Sequence, residues 1–339
     1  MSPTRKRVAL GTSFLVLVLV GAAITATISP GRPLGISLAL GLGIGGLVLG
    51  LFAGRRFPLE RLVMPLTVLA LVMTALLFSP LGAWNHGALR HVDLGVSIEP
   101  SGIWVLSCHV ATAAALTGLV SSRWMWLNFA GAATAAVVMP ELSLIPQVAA
   151  GALVMTWMVG KRLWALLPVG LGAAAIALSL FFPYVQGRWK GFLDPVAHAR
   201  GAGYDYRGLA EILSGSQLFG SASGALPRVS SPADDYWLAA GMWHWGMVPI
   251  VLWALAVVAL LILTHRAFRD RRPAGLILSG MSATMGICLA IHAGYNLGLW
   301  PITAISAPLV GFGGSLIAAQ LMGIGLGLGA TAQGDTSST

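Results

Sequence analysis

Residues 8–28 of the chain read VALGTSFLVLVLVGAAITATI, an uninterrupted apolar run that directly follows Arg5, Lys6 and Arg7. A run of about 20 residues without Asp, Glu, Lys or Arg is long enough to cross the hydrocarbon of a bilayer as a helix. A secretory signal peptide has a similar outline, but its apolar core is shorter, and here further apolar runs follow. We therefore interpret residues 8–28 as a retained first transmembrane helix.

Nine more apolar runs follow along the chain, and none of them contains Asp, Glu, Lys or Arg. They are residues 35–53, 62–78, 102–120, 124–139, 143–159, 163–182, 243–264, 273–291 and 308–328. They are continuously apolar and do not alternate, so helices are expected, because a backbone in lipid must satisfy its polar groups as a helix or a closed barrel. The sequence predicts an all-α polytopic membrane protein of about ten transmembrane helices, forming one domain over residues 1–339.

The composition excludes a soluble domain. Hydrophobic residues make up 57% of the chain and charged residues 9%, against roughly 45–50% and about 25% in soluble domains. The two cysteines, Cys108 and Cys288, lie inside apolar runs, which excludes a disulfide framework and a cysteine-based metal site. No motif indicates a cofactor or a metal site, and the sequence leaves open whether a divalent cation takes part.

The distribution of charge predicts the orientation of the chain. If the N-terminus is cytoplasmic, 13 of the 20 Lys and Arg residues lie on cytoplasmic segments and eight of the 11 acidic residues lie outside. Positive charge favours the cytoplasmic side, and ten spans then place both termini there. The net charge of +9 is therefore a topology signal with some attraction to anionic membrane lipid. It does not indicate nucleic acid binding.

Polar residues collect in three segments that this topology places outside: residues 84–101, residues 296–315 and one long extracytoplasmic loop, residues 183–241. A loop of this length is typically functional or disordered, and its aromatic content argues against disorder. We expect short helices in it at residues 209–213 and 235–243. One exterior site built from the three segments is the simplest interpretation. The small, polar residues 330–339 are expected to form a disordered tail.

Glycines in the second run fall at the small-xxx-small spacing that lets helix backbones approach closely. The pairs are Gly41/Gly45, Gly46/Gly50 and Gly50/Gly54. Gly323, Gly325, Gly327 and Gly329 alternate at a spacing that is not helical, and the sequence offers no explanation for it.

Two histidines, His109 and His292, lie in or at the end of apolar runs. An ionisable residue within a membrane is a functional candidate. A neutral imidazole that is hydrogen-bonded between helices is the interpretation we favour for both.

Five motifs in the outer segments resemble the SEDS family, the RodA/FtsW/SpoVE group of bacterial shape, elongation, division and sporulation proteins. Residues 87–101, GALRHVDLGVSIEPS, are similar to the family's GAxRWxxLG…QPSE, and MPEL at 139–142 stands where the family has QPDLGT. Arg188, Asp194-Pro195 and Tyr204 follow R…DP…Y, and Pro227, Asp235 and Gly246 follow LP…TDFIF…EExG. GLWP at 298–301 and PLVGFGGS at 308–315 match GLLP and LPLxSYGGS. The resemblance covers residues 84 to about 328.

The resemblance implies a glycosyltransferase of the bacterial cytoplasmic membrane that polymerises lipid II, the undecaprenyl-pyrophosphate-linked disaccharide-peptide, in elongation or division. It also implies a class B penicillin-binding protein as partner. A carboxylate can act as general base on the attacking sugar hydroxyl, and cations can stabilise the departing pyrophosphate. The family's essential Asp maps to Asp235. Asp234 competes with it, because the interval back to Pro227 is longer than in the family, and Asp234 is otherwise expected to bind substrate. Either residue could instead cap a helix that begins at Tyr236.

The outer cations Arg90 and Arg188 stand at family motif positions and are the better candidates for the pyrophosphate, with Lys190 also available. Glu141 replaces a family Asp, and a substrate role and a loop-holding hydrogen bond are equally open for it.

Departures from the family pattern keep two other functions open. Gly102 stands where the family has Glu, Val105 replaces a Lys, and Gly311 replaces a Ser. A non-catalytic SEDS-like subunit that binds or regulates a penicillin-binding protein is the first alternative. A lipid-linked sugar transporter is the second, and the absence of Asp, Glu, Lys and Arg from the apolar runs argues against it.

Overall fold

The computed structural model describes residues 3–85, 88–139, 141, 143–201, 203–270, 272–303, 305–311 and 314–336. The helices are α1 Pro3–Ile28, α2 Pro33–Arg56, α3 Leu59–Leu76, α4 Pro100–Leu116, α5 Ser122–Val138, α6 Leu144–Met158, α7 Arg162–Ser179, α8 Pro183–Leu193, α9 Tyr204–Gly215, α10 Trp237–Trp245, α11 Met247–Ala267, α12 Pro273–Asn296 and α13 Gly314–Thr336. A small antiparallel sheet, β1 Gly82–Asn85, β2 Ala88–Asp93 and β3 Ser97–Ile98, lies between α3 and α4.

The all-α prediction is confirmed, since a helix lies at each of the ten predicted runs. Within the described residues, six helices are long and apolar enough to cross a bilayer, and two shorter ones, α4 and α6, are also apolar. The sheet was not predicted, because its strands are short and carry no alternating pattern. In it, Ala83 pairs with His91 and Trp84 with Leu89, so Arg90 is the extra residue of a β-bulge.

Two predicted helix boundaries differ from the structure. The run at 243–264 is divided at Gly246 between α10 and α11, because Gly246 has φ +90° and lies against the backbone of Leu218 and Phe219. The last helix starts at Gly314 and not at residue 308, because Leu309 and Gly311 have φ of +67° and +86°, which no helix accepts.

Helix α13 also continues to Thr336, so residues 330–336 of the expected disordered tail are helical. The backbone of Ala330 lies against Gly54 of α2. This contact holds the end of α13 against α2.

Glycines join α2 to α13 along their length. A Cβ at Gly46, Gly50 or Gly54 would overlap the carbonyl oxygens of residues 318, 322 and 326 respectively, so the two helices run parallel and touch backbone to backbone. The predicted packing role is thus observed for these three glycines. It is not observed for Gly41 or Gly45, which have no neighbour within 4 Å of a would-be Cβ.

The alternating glycines of α13 form two faces of that helix. Gly325 and Gly329 lie against backbone atoms of α2, while Gly323 and Gly327 lie against Met281 and Leu278 of α12. Each pair has the i, i+4 spacing of one helical face. The alternation therefore comes from two close helix contacts on one helix.

Buried polar side chains connect the central helices α4, α6 and α12. His109 Nε2 lies 2.9 Å from Thr284 Oγ1, and Thr284 donates to the carbonyl of Gln147 at 2.8 Å. His109 Nδ1 lies 2.6 Å from the carbonyl of Val105. This network fits the hydrogen-bonded interhelical role favoured for His109.

Three chain segments meet at one end of the bundle, which we call the loop face: residues 82–99, 183–246 and 296–315. Ser315 Oγ accepts from Glu99 N at 3.1 Å, Arg188 donates to the carbonyl of Ile302 at 2.6 Å, and Asn296 donates to the carbonyl of Asp235 at 3.0 Å. The short helices expected in the long loop are observed as α9 and α10, and α8 is an additional one. The loop face positions the candidate site.

Candidate active site

Asp234 and Asp235 lie half-buried in a turn directly before α10. The N–H groups of Asp234 and Tyr236 both reach the carbonyl of Ser231 at 3.2 Å, which closes the turn over residues 231–236. We call these residues the aspartate turn. Tyr236 is the N-cap residue of α10, and its side chain makes no capping hydrogen bond.

Asn296, the last residue of α12, ties the aspartate turn to the bundle. Its Nδ2 donates to the carbonyls of Asp235 at 3.0 Å and His292 at 2.9 Å, and its Oδ1 accepts from Ala239 N at 3.1 Å. Ala239 is the third residue of α10, so its N–H has no partner within the helix. Asn296 therefore caps α10 from another helix and fixes the backbone of Asp235, while it is itself 1% exposed.

Arg188 and Tyr206 hold the α12–α13 connection at Ile302. Arg188 Nη1 donates to the Ile302 carbonyl at 2.6 Å, and the Tyr206 hydroxyl accepts from Ile302 N at 2.9 Å. The same hydroxyl lies 3.3 Å from the carbonyl of Arg188. Side chains of α8 and α9 therefore both form hydrogen bonds with the backbone of Ile302.

A cluster of tyrosines links Arg188 to the aspartate turn. Tyr236 and Tyr295 meet edge to face, with ring centroids 6.5 Å apart. Tyr295 lies within electrostatic range of Arg188, Asp234 and Asp235. The structure therefore brings three predicted site residues, one cation and two carboxylates, to the same part of the loop face.

Burial raises the pKa of the Tyr236 phenol above its ordinary value of 10.0, and the negative charges of Asp205 and Asp235 raise it further. The Tyr236 hydroxyl is hydrogen-bonded to Asp205, which also accepts from Ser230 N at 2.8 Å and Ser230 Oγ at 2.7 Å. Asp205 therefore ties α9 to the segment that leads into the aspartate turn.

Gly311 lies directly against Asp234. A Cβ at Gly311 would be 3.0 Å from both Asp234 Oδ1 and the carbonyl of Ala233, and the residue has φ +86°. The family Ser at this position is Gly here, and in this structure only glycine meets both constraints without strain. Leu309, two residues earlier, is 1% exposed and has φ +67°, a strained value for a bulky residue.

The remaining predicted site residues lie on other elements. Lys190 is exposed on α8, and Arg90 stands in the bulge of β2. Glu141 is 4% exposed between α5 and α6, and its Oε1 accepts from Ser143 Oγ at 2.9 Å. That hydrogen bond is of the loop-holding kind considered for Glu141. Among the described residues, no three His, Cys, Asp or Glu side chains are placed to hold a metal ion.

Sequence reasoning missed Asn296, Tyr206, Tyr295 and Asp205 as parts of this site. For Asn296, the signal that could have been used was its position at the end of an apolar helix. Burying a carboxamide there costs free energy unless its hydrogen bonds are satisfied. Their partners are backbone groups far away in the chain, which no local pattern shows.

Comparison with known proteins identifies the class of this chain. The family model of the FtsW/RodA/SpoVE cell cycle proteins matches residues 35–334. The chain belongs to this family and is a multi-pass bacterial membrane protein, which confirms the predicted SEDS resemblance.

Individual relatives carry the name probable peptidoglycan glycosyltransferase FtsW. The protein of Aromatoleum aromaticum is 28% identical over 177 residues, covering 50% of this chain and 43% of that protein. The protein of Alcanivorax borkumensis is 28% identical over 328 residues, covering 88% of this chain and 83% of that one. In a solved structure of a peptidoglycan synthase complex that coordinates polymerisation and crosslinking, one chain is similar with a TM-score of 0.75 and 25% identity, over 96% of this chain and 97% of that one.

Proposed function

We propose that this chain is a peptidoglycan glycosyltransferase that polymerises lipid II on the outer face of the bacterial cytoplasmic membrane, with Asp235 as general base. Family membership and the names of the relatives support the activity. The observation that carries the residue assignment is the tie from Asn296 to the Asp235 backbone. It holds the backbone of Asp235 in a defined place, while the Asn296 side chain also caps α10.

The proposed chemistry needs two groups. The Asp235 carboxylate accepts the proton of an acceptor sugar hydroxyl as that oxygen attacks the anomeric carbon of the donor. The bond from that carbon to the pyrophosphate breaks, and the pyrophosphate leaves with the lipid. Among the described cations, Arg188 is the one that we propose to stabilise the negative charge of the leaving pyrophosphate.

We derive the proposed roles of the other candidate residues from where each one lies. These residues are Asp234, Arg90, Lys190 and Glu141. Asp234 packs on Gly311, so we propose that it shapes the turn. Arg90 on the bulge and Lys190 on α8 are proposed to contact the pyrophosphate or the peptide of lipid II. Glu141, buried against Ser143, is proposed to hold the α5–α6 connection.

The deciding experiment is polymerisation of labelled lipid II by the purified full-length protein, beside Asp235→Asn and Asp234→Asn. Asn keeps the shape of the side chain and removes the base. Loss of polymer in Asp235→Asn alone supports the assignment, and loss in Asp234→Asn alone moves the base to the neighbouring residue. Equal activity in all three proteins would refute a carboxylate base in this turn.

A non-catalytic subunit is the second candidate, and one observation favours it. Gly102 stands where the family has Glu, and a Cβ there would lie 2.9 Å from Cβ of Ala319, so α13 fills the space of that side chain. A wild-type protein that binds lipid II and a class B penicillin-binding protein, yet makes no polymer alone or together with it, would establish this function.

The orientation and the partner complete the proposal. We place both termini in the cytoplasm on the distribution of positive charge. The parallel packing of α2 on α13 supports only that the two termini lie on the same side, because parallel spans enter the membrane from the same side. The likeness to a chain of a peptidoglycan synthase complex supports a class B penicillin-binding protein as partner. Reporter fusions at each terminus test the orientation.

A further inference from the structure

A groove of about 690 Å³ opens between α6, α11 and α12, away from the loop face. Its walls are apolar and include Trp157, Leu261 and Gly286. Its volume lies within the roughly 300–1,000 Å³ of small-molecule sites. Since the groove is formed by membrane-spanning helices, its occupant must be largely hydrocarbon.

Polar groups are confined to one side of the groove. His265 and Ser279 both line it, with His265 Nδ1 3.0 Å from Ser279 Oγ. Ser282, one turn deeper on α12, is 5% exposed, and its hydroxyl has no hydrogen-bond partner among the described residues. The oxygen is itself buried, so Ser282 adds to the wall of the groove and offers no accessible donor.

Positive charge surrounds the polar end of the groove. Arg266 in the last turn of α11 and Arg269 just after this helix are exposed and lie within electrostatic range of His265. A ligand here meets cations at its head, the His265–Ser279 pair below them and hydrocarbon walls further in. This sequence of environments matches an anionic diacyl phospholipid, whose phosphate, ester carbonyls and acyl chains follow in the same order.

We propose that this groove binds one anionic phospholipid from the leaflet opposite the loop face. The phosphate contacts Arg266 and Arg269, and an acyl chain lies along Leu261 and Gly286. A zwitterionic lipid fits the apolar walls equally well but gains less from the two arginines, because its head carries no net charge. The site is separate from the aspartate turn and does not depend on the proposed activity.

The test is native mass spectrometry of the full-length protein with phosphatidylglycerol or phosphatidylcholine of the same acyl chains. Gly286→Leu places a side chain in the groove, and its Cβ meets nothing closer than Leu261 Cδ1 at 3.9 Å. Gly45→Leu is the matched control on a lipid-facing surface with no neighbour within 4 Å. We expect Gly286→Leu to weaken phosphatidylglycerol binding by about tenfold or more, because several methylenes of the acyl chain no longer fit into the groove.

The charge contribution is tested with Arg266→Gln combined with Arg269→Gln. Arg56→Gln combined with Arg61→Gln is the control, since these exposed arginines flank the α2–α3 connection. We expect the first pair to lower the preference for phosphatidylglycerol over phosphatidylcholine by about tenfold and the control to preserve it.

Three results would overturn the proposal. One is equal binding of the two lipids by the wild-type protein, and another is unchanged phosphatidylglycerol binding in Gly286→Leu. The third is displacement of phosphatidylglycerol by undecaprenyl phosphate at equal concentration or by a second copy of the chain, which would assign the groove to another occupant.

Discussion

Replacement of Asn296 should uncouple the aspartate turn from the bundle. Asn296→Ala removes the donor to the Asp235 carbonyl, the donor to the His292 carbonyl and the acceptor for Ala239 N. Asn296→Asp keeps an acceptor for Ala239 N but places a carboxylate oxygen against the two carbonyls. The pair of variants therefore separates the capping of α10 from the tie to Asp235.

The expected loss of stability follows from these contacts. In Asn296→Ala the buried N–H of Ala239 loses its partner, which costs about 1–3 kcal/mol, and the two donated bonds contribute about 0.5–1.5 kcal/mol each. The carbonyl of Asp235 can regain water because the turn is half-buried. We expect a loss of about 2–4 kcal/mol in the free energy of unfolding.

Activity should fall by more than stability explains. A shift of about 1 Å in a catalytic group can cost roughly 100-fold in rate, so we expect a kcat reduced by about that factor in both variants. Thermal unfolding in detergent gives the fraction folded, and polymerisation of lipid II gives the rate per folded molecule.

Asn128→Ala is the matched control for this experiment. Asn128 is also a buried asparagine, with bonds to Ser107 at 2.6 Å, Thr67 at 3.0 Å and the carbonyl of Trp124 at 2.9 Å, but it lies in the α3–α4–α5 region. We expect a similar stability loss with kcat retained. Full kcat in both Asn296 variants, or an equal loss of kcat in Asn128→Ala, would refute a positioning role for Asn296.

Three further predictions concern packing, the loop face and pH. Gly50→Leu should lower the free energy of unfolding by about 1–3 kcal/mol or more, because it separates α2 from α13. Gly45→Leu should leave it unchanged in the same thermal unfolding assay. Tyr206→Phe should lower the free energy of unfolding by about 1–3 kcal/mol, because the buried N–H of Ile302 loses its acceptor. Limited proteolysis of the α12–α13 connection should then become faster. The raised pKa of Tyr236 stabilises the fold fully below its ordinary value of 10.0, and this stability is lost as pH rises above that value, by up to about 1.4 kcal/mol per pH unit. Tyr236→Phe should flatten the decline of stability above pH 10, and an unchanged slope would contradict the assignment.

The sequence predicted the helices well because a bilayer imposes one dominant rule, a continuous apolar run of sufficient length. The predicted helix boundaries were wrong where backbone conformation, and not hydropathy, decides where a helix begins or ends. The run 243–264 is apolar on both sides of Gly246, so nothing in its hydropathy marks the break. The start of α13 was misplaced for the same reason, since Leu309 and Val310 are apolar but not helical.

The candidate site was only partly accessible from sequence. Asp235 and Arg188 were found by their place in motifs, and the structure brings both to the loop face. Asn296 and Tyr206 were missed because each acts through backbone atoms of residues distant in the chain, 57 residues away for Asn296 and Ala239 and 96 for Tyr206 and Ile302. Motif spacing shows which residues recur together, but it does not show which peptide group a side chain will hold.

The structure bears on which aspartate is the base, because the interval from Pro227 to the aspartate turn is longer than the family pattern. The intervening residues follow α9, where Ser230 is bonded to Asp205 and the Arg228 carbonyl packs on Gly208. The turn itself is fixed separately, by Asn296 at the end of α12. The contacts of residues 228–230 with α9 and the tie from Asn296 to the Asp235 backbone are thus independent of each other. We therefore propose to count the register from α12 and Gly246, which favours Asp235 as the base.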